Sequence, residues 1–135
     1  AADVSDAALM LAKENANYNS AVVHFVQTDL FENIRGRFNV IVCNPPYIRT
    51  EEITALAREV KDFEPRIALD GGEDGLDFYR RLAREVNRYI ARGGMLILEV
   101  GEGQAAEVLR LFEKRDYAIV MKDLEGQDRF LKIAF

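Results

Sequence analysis

The sequence predicts an α/β domain built on a doubly wound, mostly parallel sheet whose last strand runs antiparallel. Three observations point there. Short runs rich in β-branched residues alternate with segments of helical spacing along all 135 residues. The run Phe-Asn-Val-Ile-Val-Cys at 38–43 is apolar almost throughout, the pattern of a parallel strand buried on both faces. The chain closes on two consecutive strand-like runs, near 117–122 and 129–135, with no helical pattern between them.

Taken in order, Ala1, Ala2 and Asp3 read as the last residues of a strand, and Ser5 or Asp6 can cap a helix reaching about Asn17. Residues 22–26, Val-Val-His-Phe-Val, read as a second strand, and 38–43 follows the turn at Gly36. Residues 51–61 are expected to be helical. The stretch 70–75, Asp-Gly-Gly-Glu-Asp-Gly, must turn with positive φ. A helix then places Tyr79, Leu82, Ala83, Val86, Tyr89 and Ile90 on one face, and Gly93 and Gly94 are expected to end it. Residues 95–100 form another buried strand, and 104–114 a helix with the stripe Ala105, Val108, Leu109 and Phe112. One domain, 1–135, is expected.

Composition narrows the function. With 49% hydrophobic and 30% charged residues the chain has the makeup of a globular domain with a core. No apolar run nears the ~18 residues needed to span a bilayer, and no signal-peptide layout opens the chain. The single Cys43 excludes a disulfide framework and fits a reducing, cytoplasmic setting; at the end of an apolar run it is a poor nucleophile. The single His24 lies in a strand-like run, so no zinc site is expected. A net charge of -5 is the opposite of the basic footprint that binds a phosphate backbone, which makes a nucleic-acid partner unfavourable.

Chemistry concentrates where the 38–43 run gives way to Asn44, Pro45, Pro46 and Tyr47. In an open α/β sheet, ligands collect beyond the carboxyl ends of strands. The two prolines lack N–H groups and fix φ, so this loop is stiff and presents carbonyl acceptors. The Asn44 side-chain oxygen beside the Pro45 carbonyl can accept both hydrogens of one planar –NH2 group and hold its nitrogen in place. An amide nitrogen is a weak nucleophile, so a catalyst gains by aligning it with a sulfonium methyl while partial positive charge faces two oxygens. Tyr47 supplies a wall with a hydroxyl available to orient the group. The plainer reading is a rigid turn after a strand, with Tyr47 a core aromatic.

These four residues resemble the Asn/Asp-Pro-Pro-Tyr motif of amino-methyltransferases. More narrowly, 42–48, 63–76 (Phe-Glu-Pro-Arg-Ile-Ala-Leu-Asp-Gly-Gly-Glu-Asp-Gly-Leu), 98–101 (Leu-Glu-Val-Gly) and 123–129 are similar to the protein-(glutamine-N5) methyltransferases that modify peptide chain release factors. The resemblance covers nearly the whole chain and implies a class I, Rossmann-like fold and S-adenosylmethionine as cofactor. It also implies a release factor as protein partner, whose Gly-Gly-Gln loop presents the glutamine amide to Asn44 and Pro45, with Pro46 and Tyr47 shaping the pocket. By the same resemblance Asp3 accepts from the cofactor ribose, and Asp29, Leu30 and Phe31 border its adenine, with Asn44 also beside the cofactor. The family's first strand and glycine-rich loop are expected before Asp3 and are absent here, so this polypeptide is expected to be catalytically crippled. Oligomeric state is open.

Three rivals stand beside this reading. Residues 101–106, Gly-Glu-Gly-Gln-Ala-Ala, fit a dinucleotide-binding fingerprint with Asp123 at about the ~20-residue offset for a ribose acid. The same planar –NH2 logic serves adenine N6 or guanine N2 of a nucleic acid. A binding or assembly fragment without activity is the non-enzymatic alternative. Asp70, Glu73, Asp74 and Asp77 offer either a contact for a basic partner or plain solvation. Glu99 and Arg129 are strand-end residues that an ion pair or surface position explains.

Overall fold

The computed structural model describes residues 1–113 and 117–135. The expected end of the 104–114 helix, Lys114, lies outside the described residues. The chain divides into two compact units, Ala1–Gly36 and Arg37–Phe135. No helix among the described residues is long and apolar enough to cross a membrane.

The first unit holds β1 (Ala2–Asp3), α1 (Asp6–Tyr18) and β2 (Val26–Gln27). Ser5 caps α1 as its spacing predicts, its hydroxyl accepting from the Ala8 N–H at 3.2 Å. Asn19 closes the other end, its side-chain amide donating to the Asn15 carbonyl at 2.8 Å. β1 and β2 pair in parallel, Ala2 with Val26 and Asp3 with Gln27. The strand expected at 22–26 is therefore much shorter. A strand exists only where it has a partner ladder, and the two residues of β1 supply one for Val26 and Gln27 alone, leaving Val22 97% exposed.

The second unit carries a four-stranded sheet of β3 (Phe38–Cys43), β4 (Ile90–Glu99), β5 (Tyr117–Lys122) and β6 (Asp128–Ala134), in the order β3-β4-β6-β5. β3 and β4 are parallel, and β6 runs antiparallel to both β4 and β5. Three strands thus share a direction and the last one is reversed, as predicted. Leu96, Leu98, Leu131 and Ile133 are fully buried on one face, and Ile41 and Cys43 share it through the β3/β4 register. The apolar residues of α4 (Asp77–Glu85) and α5 (Ala105–Arg110) complete this core: Tyr79, Leu82, Ala105, Val108 and, beyond α5, Phe112.

Three expectations change here. β3 is not buried on both faces: it is an edge strand among the described residues, and Val40 and Val42, on the face away from the core, are 51% and 72% exposed. The helix expected at 51–61 breaks into a 3-10 turn, Ile53–Ala55, and the single turn α2 (Arg58–Lys61), because Leu56 and Ala57 are extended. A further turn, α3 (Arg66–Leu69), follows. The helix of the 79–90 stripe stops at Glu85, passes through a 3-10 turn Val86–Arg88, and gives Ile90 to the sheet instead. Ile90 pairs with Phe38, so Gly93 and Gly94 fall inside β4, at a register slip where Gly93 N–H donates to the Phe135 carbonyl at 2.7 Å.

Candidate active site

β3 delivers Asn44, Pro45, Pro46 and Tyr47 as an irregular segment at the carboxyl edge of the sheet. Asn44 is exposed, Pro45 buried, and Pro46 and Tyr47 half-buried. Neither the Asn44 side chain nor the Pro45 carbonyl has a hydrogen-bond partner among the described residues. The two acceptors singled out for a planar –NH2 group are therefore both uncommitted. Tyr47 and Ile48, just downstream, are by contrast held by hydrogen bonds.

Ile48 forms a bridge with Asp70, its N–H donating to the Leu69 carbonyl at 2.9 Å while its carbonyl accepts from Gly71 at 2.8 Å. The Thr50 hydroxyl donates to Asp70 at 2.6 Å, which with the Gly72 N–H holds that carboxyl below its ordinary range. The 70–75 stretch turns with positive φ at Gly72 (92°) and Gly75 (76°), as the sequence requires. It passes so close to the motif that a Cβ on Gly71 would lie 2.8 Å from Tyr47 Cα, and one on Gly75 2.4 Å from the Tyr47 carbonyl oxygen.

The Tyr47 hydroxyl is not free, as the sequence reading had it. It donates to Glu99 Oε1 at 3.4 Å, and desolvation first, then the Glu99 charge, raises its pKa. The Glu99 carbonyl in turn accepts from the fully buried Tyr79 hydroxyl at 3.1 Å. Arg129, whose charge pulls the Tyr47 pKa the other way, pairs with Asp123 at 3.4 Å. Glu99 and Arg129 are thus neighbours of the motif that sequence reasoning set aside. The available signal was that Glu99 closes β4 and Arg129 lies at the start of the antiparallel β6, which sets both at the sheet edge where β3 ends. Gln104 was missed altogether as a site residue: its amide donates to the Tyr47 carbonyl at 2.9 Å and accepts from the Gly101 N–H at 3.1 Å.

The same contacts remove the dinucleotide alternative. The Gly101 N–H that would face a phosphate is taken by Gln104, and α5 has only six residues. Asp123 Oδ1 accepts from the Glu125 and Gln127 N–H groups and Oδ2 from Arg129, so the carboxylate is consumed within its own turn. The loop acids are likewise spoken for, apart from Glu73. Asp70 pairs with Arg66, and Asp74 and Asp77 share Arg80, so two arginines offset part of the acidic cluster and brace the loop. Cys43 is no nucleophile: burial pushes its thiol up to about 12.

In the first unit, Asp3, Asp29, Leu30 and Phe31 gather at the carboxyl ends of the parallel pair β1/β2. Asp3 is exposed, and its Oδ1 accepts from the Ser5 N–H at 2.7 Å, which orients the carboxylate. The turn after β2 is stiffened by Thr28, whose hydroxyl accepts from the Asn33 N–H at 3.0 Å, and Leu30 is held at φ 51°, a conformation a leucine adopts only when its surroundings impose it. Phe31 is buried, while Asp29 and Leu30 are half-buried. The predicted cofactor residues other than Asn44 are therefore neighbours of one another, and the motif residues likewise, each set within its own unit.

Residues 1–63 match the family described as Methyltransferase small domain. A release factor glutamine methyltransferase of Geobacter sulfurreducens is 44% identical over 128 residues, covering 93% of this chain and 45% of the relative. The crystal structure of the release-factor-specific protein-(glutamine-N5) methyltransferase from Alicyclobacillus acidocaldarius is 28% identical with a TM-score of 0.54, over 98% of this chain and 76% of that one. A methyltransferase from Pyrococcus furiosus, 16% identical, has the same fold at a TM-score of 0.66, covering 98% of this chain and 60% of that one. The chain spans slightly less than half the length of the curated relatives it matches. With a Rossmann-like α/β fold and the motif Asn44, Pro45, Pro46, Tyr47 at a strand end, the chain is similar across nearly its whole length to about half the length of the release factor glutamine methyltransferases.

Proposed function

We propose that this chain forms the substrate-binding and much of the cofactor-binding part of an S-adenosylmethionine-dependent methyltransferase that acts on N5 of a glutamine side chain. The substrate is the Gly-Gly-Gln loop of a peptide chain release factor, met in the cytoplasm. The observation that carries the reading is the pair of uncommitted acceptors, the Asn44 side chain and the Pro45 carbonyl, on a loop anchored just downstream at Tyr47 and Ile48. A primary amide offers two N–H donors in one plane, and these oxygens match them.

The residues present fit the cofactor. An exposed carboxylate at a strand's carboxyl end, oriented through one oxygen by the Ser5 N–H, leaves its other oxygen for a ribose hydroxyl, which is the role given to Asp3. Asp29 and Leu30, half-buried on the neighbouring turn, would border the adenine over the buried Phe31. When bound, S-adenosylmethionine supplies an electrophilic methyl group. Asn44 and Pro45 fix the amide plane so that the nitrogen lone pair is aimed rather than free to rotate, and their oxygens stabilise positive charge developing on that nitrogen. The product amide carries one methyl in place of one hydrogen, which leaves as a proton. The second acceptor is needed before transfer to orient the group, so the Asn44 contribution falls mainly on the rate of the chemical step.

The test is transfer of labelled methyl from S-adenosylmethionine to the release factor by the protein at its natural length. The wild type is expected to label the factor at the Gly-Gly-Gln glutamine, and Asn44→Ala to lose about 10²-fold or more in kcat, the scale of removing one transition-state hydrogen-bonding group. Labelling of DNA or RNA, with none in the release factor, would overturn the assignment in favour of adenine N6 or guanine N2.

A further inference from the structure

We propose that Gln104 is a positioning residue for the reaction: its side-chain amide clamps the backbone of the Asn44 to Tyr47 loop and thereby sets where the Pro45 carbonyl stands. This inference rests on the function proposed above.

The geometry is a two-sided bond. Gln104 Nε2 donates to the Tyr47 carbonyl at 2.9 Å and Oε1 accepts from the Gly101 N–H at 3.1 Å. One planar amide therefore fastens the motif loop to the turn between β4 and α5, across 57 residues of sequence. The orientation is forced, because only the nitrogen end can face a carbonyl and only the oxygen end an N–H.

Space around this clamp is closed by glycines. A Cβ on Gly75 would stand 2.6 Å from Gln104 Nε2, and one on Gly101 2.6 Å from Gln104 Oε1 and 2.9 Å from Tyr47 Cδ2. Backbone from the 70–75 turn and from the strand end thus packs directly on the amide and on Tyr47, leaving the side chain no alternative seat.

The link to the reacting group runs through the prolines. Pro45 and Pro46 have fixed φ, so a displacement at Tyr47 is passed upstream to the Pro45 carbonyl with fewer soft torsions to absorb it. That carbonyl is one of the two acceptors proposed for the substrate amide, and a misplacement of about 1 Å there costs about 10²-fold in rate. Gln104 itself touches neither substrate nor cofactor on this reading.

Two variants separate the clamp from mere packing. Gln104→Leu keeps the bulk and removes both bonds. Gln104→Glu keeps the acceptor for Gly101 but sets an oxygen against the Tyr47 carbonyl. In the protein at its natural length, both are expected to lower kcat about 10 to 100-fold while KM for S-adenosylmethionine stays within about twofold. Hydrogen exchange of the Ile48 amide, measured without any substrate, is expected to accelerate at least about tenfold in both. Unchanged exchange in both variants overturns the clamp, and faster exchange with unchanged kcat overturns its role in positioning. If the wild type methylates no release factor, the functional reading fails while the exchange measurement still decides the clamp.

Discussion

Replacing Gly75 by alanine tests whether the turn at 70–75 is built around the motif. Gly75 has φ +76°, which an L side chain adopts at a cost of about 1 to 2 kcal/mol. Beyond that strain, its new Cβ would lie 2.4 Å from the Tyr47 carbonyl oxygen and 2.6 Å from Gln104 Nε2. Either the turn or the Tyr47 carbonyl must retreat by about 1 Å, which breaks the Gln104 bond at about 1 kcal/mol and adds overpacking strain of about 1 to 3 kcal/mol. The whole effect is about 3 to 6 kcal/mol, or a fall in Tm of roughly 10 to 20 °C for a domain of this size. Gly126→Ala is the matched control, because Gly126 has φ +84° with nothing within 4 Å of the added Cβ, leaving strain alone at about 1 to 2 kcal/mol. Calorimetric melting of wild type and both variants measures the difference. Equal Tm shifts for the two glycines would refute the close approach of this turn to Tyr47.

The remaining predictions concern acid and thiol chemistry. The Arg80 hydrogen bonds hold the Asp74 carboxyl down, from 3.8 to about 2, so the unfolded chain takes up its proton first as pH falls. The stabilisation is full above about pH 4 and lost as pH falls through 2. Because both partners are more than a third exposed, it is worth at most about 1 kcal/mol. Urea melts of wild type and Asp74→Asn should therefore differ by about that much at pH 7 and converge towards pH 2, and a gap that widens on acidification would contradict this. Cys43, with its thiol at about 12, should react with iodoacetamide at pH 8 at least about 10²-fold more slowly in the native protein than in urea. Native labelling within tenfold of the unfolded rate would show the thiol to be open.

The sequence by itself determined the order of the strands along the chain and the reversed final strand, and it singled out the proposed chemical centre, because each rests on local signals. β5 was legible to the residue and β6 to within one, since β-branched alternation bounded by turns needs no distant partner to be read. Asn44, Pro45, Pro46 and Tyr47 were legible because proline stiffness and the donor and acceptor inventory are properties of the residues themselves. Tertiary structure decided what depends on partners. The 22–26 run kept its ladder only at Val26 because β1 offers two residues to pair with, and Ile90 left its helix because Phe38 pairs with it in the sheet. Exposure of Val40 and Val42 depends on which face of β3 other elements cover, and the buried layer lies on the Leu96 and Leu98 face, which no periodicity within β3 encodes. The bonds of Glu99 and Gln104 to Tyr47 join residues 52 and 57 positions apart, and only the folded chain brings such groups within hydrogen-bonding distance.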